Sequence, residues 1–257
     1  MRRDLLTMIL LLVVCTAGAQ NIKVIAHRGA WNCPEAGYAR NSMAALRQAQ
    51  EKGYYGSEFD INLCADGSLL VFHDGSVDGM KLEDHAASEF SHIRLENGEC
   101  IPGIDEYLAQ AAKTPDLMLV FELKKHSSPE LETKAVEASI ESLKRAGLYD
   151  SRRVMFISFS FHICKEFVRL APGFKVNYLG FTKTIEQVAN AGIDGIDFHH
   201  MTLNRARVRK AHRLGLEVNC WTVNDEKTAR RMINIGVDQI TTDYPEMVRN
   251  LIKATAK

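Results

Sequence analysis

The sequence predicts an α/β protein whose strands run parallel and close into an eight-stranded β/α barrel with a short insertion after the second strand. Three observations lead there. Short apolar runs alternate with amphipathic helical patterns, eight such runs can be counted, and no GxGxxG follows the first of them. A parallel crossover needs a helix to return the chain, so the alternation points to a parallel sheet. An open doubly wound sheet has the same periodicity, but the dinucleotide signature that goes with it is missing. The length of 257 residues, 46% hydrophobic and 25% charged, suits one such barrel.

The first residues stand apart from this pattern. Arg2 and Arg3 precede an apolar run from Leu5 to Val14, and small Ala17 and Ala19 follow. That is the layout of a signal peptide over residues 1–19 cut after Ala19, leaving residues 20–257 as an exported domain, periplasmic or extracellular. The run is shorter than the roughly 18 apolar residues a spanning helix needs, so the mature chain is expected to carry no membrane span. Cys15 raises lipidation, which Val14 before it fits poorly. The remaining cysteines, Cys33, Cys64, Cys100, Cys164 and Cys220, are odd in number and lack CxxC spacing, so neither zinc nor a complete disulfide framework is indicated. A Cys33–Cys64 bridge is conceivable; burial as free thiols is the preferred reading.

The strand candidates are Lys23–Ala26, Gly56–Leu63, Leu117–Leu123, Val154–Ser158, Lys175–Leu179, Gly195–Phe198, Glu217–Trp221 and Gln239–Thr242. Helical patterns fall between them at Ser42–Lys52, Pro129–Ala146, Ile185–Ala191, Arg205–Leu214 and Glu226–Ile235. Between Val71 and Ile104 the chain is polar, His-rich and weakly periodic, and it reads as an insertion. Loops after barrel strands carry specificity, which makes this segment a candidate pocket wall.

Charge is balanced, 32 basic against 32 acidic residues, so no global field draws the chain to nucleic acid or an anionic membrane. An anionic small molecule must be held locally. The first strand ends in His27-Arg28-Gly29, an imidazole and a guanidinium at a barrel's active end, and Arg grips phosphate bidentately. The second carries Glu58 and Asp60, which the two-residue strand period puts on one face, with Phe59 and Ile61 on the other. Two inward carboxylates repel and need a cation between them or a neutralising Arg or Lys. With oxygen donors alone, that cation is a hard ion such as Ca²⁺ or Mg²⁺. Glu122 and Lys124 share a face of the third strand, able to complete the metal shell and to meet a phosphate. His73 offers a second imidazole with Asp74 beside it as orienter. Each of these motifs alone is compatible with a structural ion pair or a solvated loop.

Together they are more specific. His27-Arg28-Gly29, Glu58-x-Asp60, Ala65-Asp66-Gly67, His73-Asp74, Glu122-x-Lys124, Trp221-Thr222-Val223-Asn224 and Thr242-Asp243-Tyr244-Pro245 occur in the order that marks the glycerophosphodiester phosphodiesterase family, and the chain resembles that family over nearly all of its mature length. The resemblance implies a TIM-type barrel in which His27 and His73 act as general acid and base, while Glu58, Asp60 and Glu122 bind a divalent ion. Arg28 and Lys124 would steady the phosphate and Trp221 would wall the glycerol backbone. It further implies attack by the neighbouring glycerol hydroxyl, a cyclic phosphate, and release of glycerol phosphate and an alcohol from deacylated phospholipid head groups. One departure stands out. The family's Pro-Glu-Asn-Thr segment is replaced by Ala39-Arg40-Asn41-Ser42, so the acidic position is lost and the surroundings of Arg40 are expected to be more positive. His199 and His200 follow the sixth strand and stay outside the expected site. Competing expectations are a phosphodiester-binding barrel without turnover, and a phospholipase D-like enzyme acting on lysophospholipids or on a glycerol phosphate polymer.

Overall fold

The computed structural model describes residues 22–255. The expected leader, its cleavage after Ala19 and Cys15 lie outside the described residues. Eight parallel strands form the barrel: β1 (Lys23–Ala26), β2 (Gly56–Leu63), β3 (Met118–Leu123), β4 (Val154–Ser158), β5 (Lys175–Tyr178), β6 (Gly195–His199), β7 (Glu217–Trp221) and β8 (Gln239–Thr242). Each pairs with the next in chain order, and β8 returns to β1 with Val24 opposite Ile240, closing the ring. The predicted strands are all present, with ends moved by at most one residue.

The helices are α1 (Met43–Glu51), α2 (Ile104–Ala111), α3 (Pro129–Arg145), α4 (Phe161–Leu170), α5 (Ile185–Asn190), α6 (Arg205–Arg213), α7 (Glu226–Ile235) and α8 (Pro245–Thr255). Ser42, Ser128, Ser160, Thr184, Asn204 and Asp225 cap six of them, each accepting a backbone N–H from inside the first turn. Such a cap satisfies one otherwise orphaned donor and fixes where each strand-to-helix loop ends.

Alternation along the strands divides the core in two. Val24, Phe59, Ile61, Leu119, Phe121 and Phe156 point outward into the layer beneath the helices, where Phe59 lies 4.7 Å from the Tyr107 ring and 5.2 Å from Phe121. Ile25, Val120, Met155, Ile157 and Leu179 fill the inside of the barrel. Burying these side chains supplies the main driving force for closure. Phe59 and Ile61 therefore face away from Glu58 and Asp60, as the strand period requires.

The insertion follows β2. Leu69–Val71 pairs antiparallel on β2, and Ser76–Val77 with Met80–Lys81 makes a small hairpin. Leu70, Leu82, Phe90 and Ile101 bury against Cys64 to give this segment a core of its own. The five cysteines of the described residues are free thiols, with Cys64, Cys164 and Cys220 buried. No described helix is long and apolar enough to cross a membrane.

Candidate active site

The chain leaves β1 through a left-handed turn. Arg28 has φ 54° and Gly29 φ 78°. A Cβ on Gly29 would come within 2.7 Å of Ala45 Cβ and 2.8 Å of its carbonyl carbon, so glycine is required both for the backbone angle and for the approach of α1. The turn aims the Arg28 N–H at Glu58 Oε2, 2.7 Å away, and projects His27 over the barrel mouth. His27 Nδ1 lies 2.8 Å from Asp243 Oδ1. Burial alone would raise the Asp243 carboxyl, but hydrogen bonds from His27, Asn224 and Trp31 outweigh it and hold that group below the ordinary aspartate range. An ionised Asp243 only accepts, which places a proton on Nδ1 and turns Nε2 toward the cleft side, where it sits 4.0 Å from Glu58 Oε2.

Glu58, Asp60 and Glu122 bring one carboxylate oxygen each within 4.8 Å of the others, and all three residues are buried. Lys124 Nζ donates to Asp60 Oδ1 at 2.9 Å and to Glu122 Oε1 at 2.7 Å. Asn41, itself at φ 56°, donates to Asp60 Oδ2 at 2.8 Å and accepts the Asp60 N–H at 3.2 Å. Arg28 Nε stands 3.4 Å from Asp60 Oδ2 without a hydrogen bond, and Glu58 Oε1 also has no partner. Burial, then the neighbouring Asp60 and Glu122 charges, push the Glu58 carboxyl well above the usual glutamate range. Burial and Asp60 raise Glu122 as well, against the opposing pull of Lys124. At Asp60 the burial effect is overcome by Lys124, His73 and Arg28, and its carboxyl is lowered. A trio of this kind, oxygen-only, incompletely neutralised and with an orphaned oxygen, fits a hard divalent cation.

His73 stands across the cleft, its Nδ1 2.7 Å from Asp74 Oδ1, the orienting contact expected of that neighbour. Burial and the Lys124 charge hold the imidazole below the usual histidine range, with Asp60 pulling the other way. One cleft of about 200 Å³ is lined by His27, Arg28, Glu58, His73, Glu122 and Lys124 on its charged side. Ile157, Phe159, Leu179 and Trp221 form the opposite, apolar side. Trp221 is fixed by its Nε1–H donating to the Asp197 carbonyl at 2.9 Å and by edge contacts with Phe159 at 5.4 Å and His199 at 5.2 Å.

The structure thus brings all eight residues singled out in the sequence to one place, seven of them on the cleft surface and Asp60 buried beneath it. Sequence reasoning missed Asn41, Asp197, Phe159 and Asp243 as parts of the site. Asn41 and Asp243 lie in quoted motifs, but their partners are 19 and 216 residues away in the chain. The altered Ala39-Arg40-Asn41-Ser42 segment keeps its work: Ser42 caps α1 by accepting the Ala45 N–H at 2.9 Å. Arg40 stacks 4.0 Å over the Trp31 ring and pairs with Glu96 at 3.9 Å, so its charge is not on the cleft wall. Of the insertion, His73 alone among the described residues lines the cleft.

The model of the Glycerophosphoryl diester phosphodiesterase family matches residues 27–247. A glycerophosphodiester phosphodiesterase of Caldanaerobacter subterraneus is 30% identical over 244 residues, covering 90% of this chain and 97% of that protein. The crystal structure of a glycerophosphodiester phosphodiesterase from Parabacteroides distasonis is 39% identical with a TM-score of 0.88, covering 93% of this chain and 99% of that one. That of an Oleispira antarctica phosphodiesterase, 24% identical with a TM-score of 0.79, covers 90% and 96% and shares the fold. With a family match running from the first histidine of the site to the helix after the last barrel strand, the chain belongs to the glycerophosphoryl diester phosphodiesterase family.

Proposed function

We propose that this chain is an exported, divalent-cation-dependent hydrolase that cleaves glycerophosphodiesters, the deacylated head groups of phospholipids, to glycerol phosphate and an alcohol. The observation that carries the reading is the convergence of three buried carboxylates, two cations and two imidazoles on a single small cleft. The basic, apolar and small-residue run at Arg2, Leu5–Val14 and Ala19 supports export, to the periplasm or the cell exterior.

Glu58, Asp60 and Glu122 would hold the ion, Ca²⁺ or Mg²⁺ by the hardness of their oxygens. When bound, such an ion stabilises the negative charge that grows on the phosphate oxygens. Lys124 spends two of its three N–H donors on Asp60 and Glu122 and keeps one for a phosphate oxygen. Arg28 keeps its terminal N–H groups for a second contact. His73, held neutral, takes the proton of the glycerol hydroxyl as its oxygen attacks phosphorus. His27, braced by Asp243 at Nδ1, gives the Nε2 proton to the departing alcohol as the phosphorus–oxygen bond breaks. The cyclic phosphate left behind opens by the reverse exchange, with water delivered in place of the alcohol. Because the nucleophile is part of the substrate, most of the entropic cost of bringing it to phosphorus is already met.

Phosphorus NMR of glycerophosphocholine turned over with Mg²⁺ or Ca²⁺ tests this reading. Glycerol phosphate and free choline are expected. Phosphocholine and glycerol, or no turnover by folded protein with either ion, would contradict it.

A further inference from the structure

Among the described residues, Asp197 is the one acid on the cleft wall that neither the metal trio nor the histidine partners account for. It sits on β6 with its side chain inside the barrel, 1% exposed. Its Oδ2 accepts from Asn219 Nδ2 at 2.8 Å, and the same amide reaches Thr241 Oγ1 at 2.8 Å, so the carboxyl is held in place across three adjacent strands. Its Oδ1 is buried and has no hydrogen-bond partner. A buried polar atom left unpaired is costly, and natural proteins seldom keep one without a role for it, such as a ligand that completes the site. The Asp197 main chain also holds Trp221, through the carbonyl that receives the indole N–H.

We infer that Asp197 is a specificity-determining residue for the glycerol half of the substrate, its free Oδ1 exchanging a hydrogen bond with a glycerol hydroxyl against the Trp221 wall. This rests on the glycerophosphodiester reading of the site. Among the described residues no Lys or Arg pairs with Asp197 and its side chain's sole partner is an amide, which leaves it suited to a neutral group and not to the phosphate that Arg28 and Lys124 attract. Burial pushes its carboxyl up to about 8, so near neutral pH it carries a proton and offers both a donor and an acceptor. The surrounding Ile157, Leu179 and Trp221 supply the apolar faces that the C–H side of a short polyol fills.

Calorimetry on the metal-loaded enzyme, titrated with sn-glycerol 3-phosphate and separately with inorganic phosphate, separates the possibilities. Wild type is expected to prefer glycerol 3-phosphate. Asp197→Ala should lose about tenfold in affinity for glycerol 3-phosphate, the loss of one hydrogen bond, with phosphate affinity unchanged. Asp197→Asn, which keeps a donor and an acceptor, should stay within about threefold of wild type. Should the Ala variant fail to fold, Asp197→Val offers the same comparison with the volume partly kept. Equal loss for both ligands, or no loss for either, would overturn the assignment and leave Asp197 as part of the barrel frame. A wild-type enzyme that does not distinguish glycerol 3-phosphate from phosphate would instead sink the glycerophosphodiester reading itself.

Discussion

The two histidines are held by unlike neighbours, and the difference predicts unlike chemistry. Asp243 accepts from the His27 ring while Asn224 and Trp31 hold that carboxylate in turn. His73 is hydrogen-bonded to Asp74 in a more exposed setting, and burial with the adjacent Lys124 charge disfavours its protonation. An acid that protonates the leaving alcohol matters little when the leaving group is already stable as an anion. His27→Ala should therefore lose about 10²–10⁴-fold with a choline ester but far less with a p-nitrophenyl ester, whereas His73→Ala should lose comparably with both. Steady-state kinetics on the two substrates checks it, and equal losses for His27→Ala would reverse or remove the assigned roles.

At the scale of elements, the strand period explains both what the sequence disclosed and what it hid. Glu58 with Asp60, and Glu122 with Lys124, stand two residues apart on apolar strands, so their common face can be read without coordinates. Asp197 obeys the same alternation on β6 but is a solitary acid, and one charge on a short strand gives no pair to notice. Its burial has a measurable consequence. Its carboxyl sits at about 8 in the folded protein, against roughly 3.9 in an unfolded chain. The shift is upward, so folding is favoured in full below about pH 4 and loses that contribution as pH rises toward 8. Asp197→Asn removes the titration. Its melting temperature in metal-free buffer should exceed the wild-type value at pH 8 and draw level or fall below it at pH 4, with about 2–4 °C expected for each kcal/mol at this chain size. A difference that does not change with pH would show that Asp197 is already ionised in the fold. The insertion was legible as a break in periodicity, yet its role was not. Leu82, Phe90 and Ile101 turn it into a small packed unit beside the barrel, and periodicity says nothing about where such a unit rests.

Over the whole molecule, eight alternating runs were enough to indicate a closed parallel barrel, because few other architectures bury so many short apolar strands in chain order. The cleft is another matter, since it assembles from β2, β3, β4, β6, β7 and β8 together with loops that include the turn after β1, and contacts such as His27 with Asp243 join opposite ends of the chain. Closure brings three carboxylates to one point with too little positive charge around them, and the barrel holds them there. On the proposed function, a divalent ion makes up the difference. The most direct test is choline release from glycerophosphocholine by chelator-stripped enzyme, followed as Mg²⁺ or Ca²⁺ is added back, for wild type and Glu58→Gln. Stripped wild type is expected to be inactive and to recover with ion, while Glu58→Gln needs at least about tenfold more ion for half recovery. Full activity in the stripped enzyme, or an unchanged ion requirement in the variant, would contradict it.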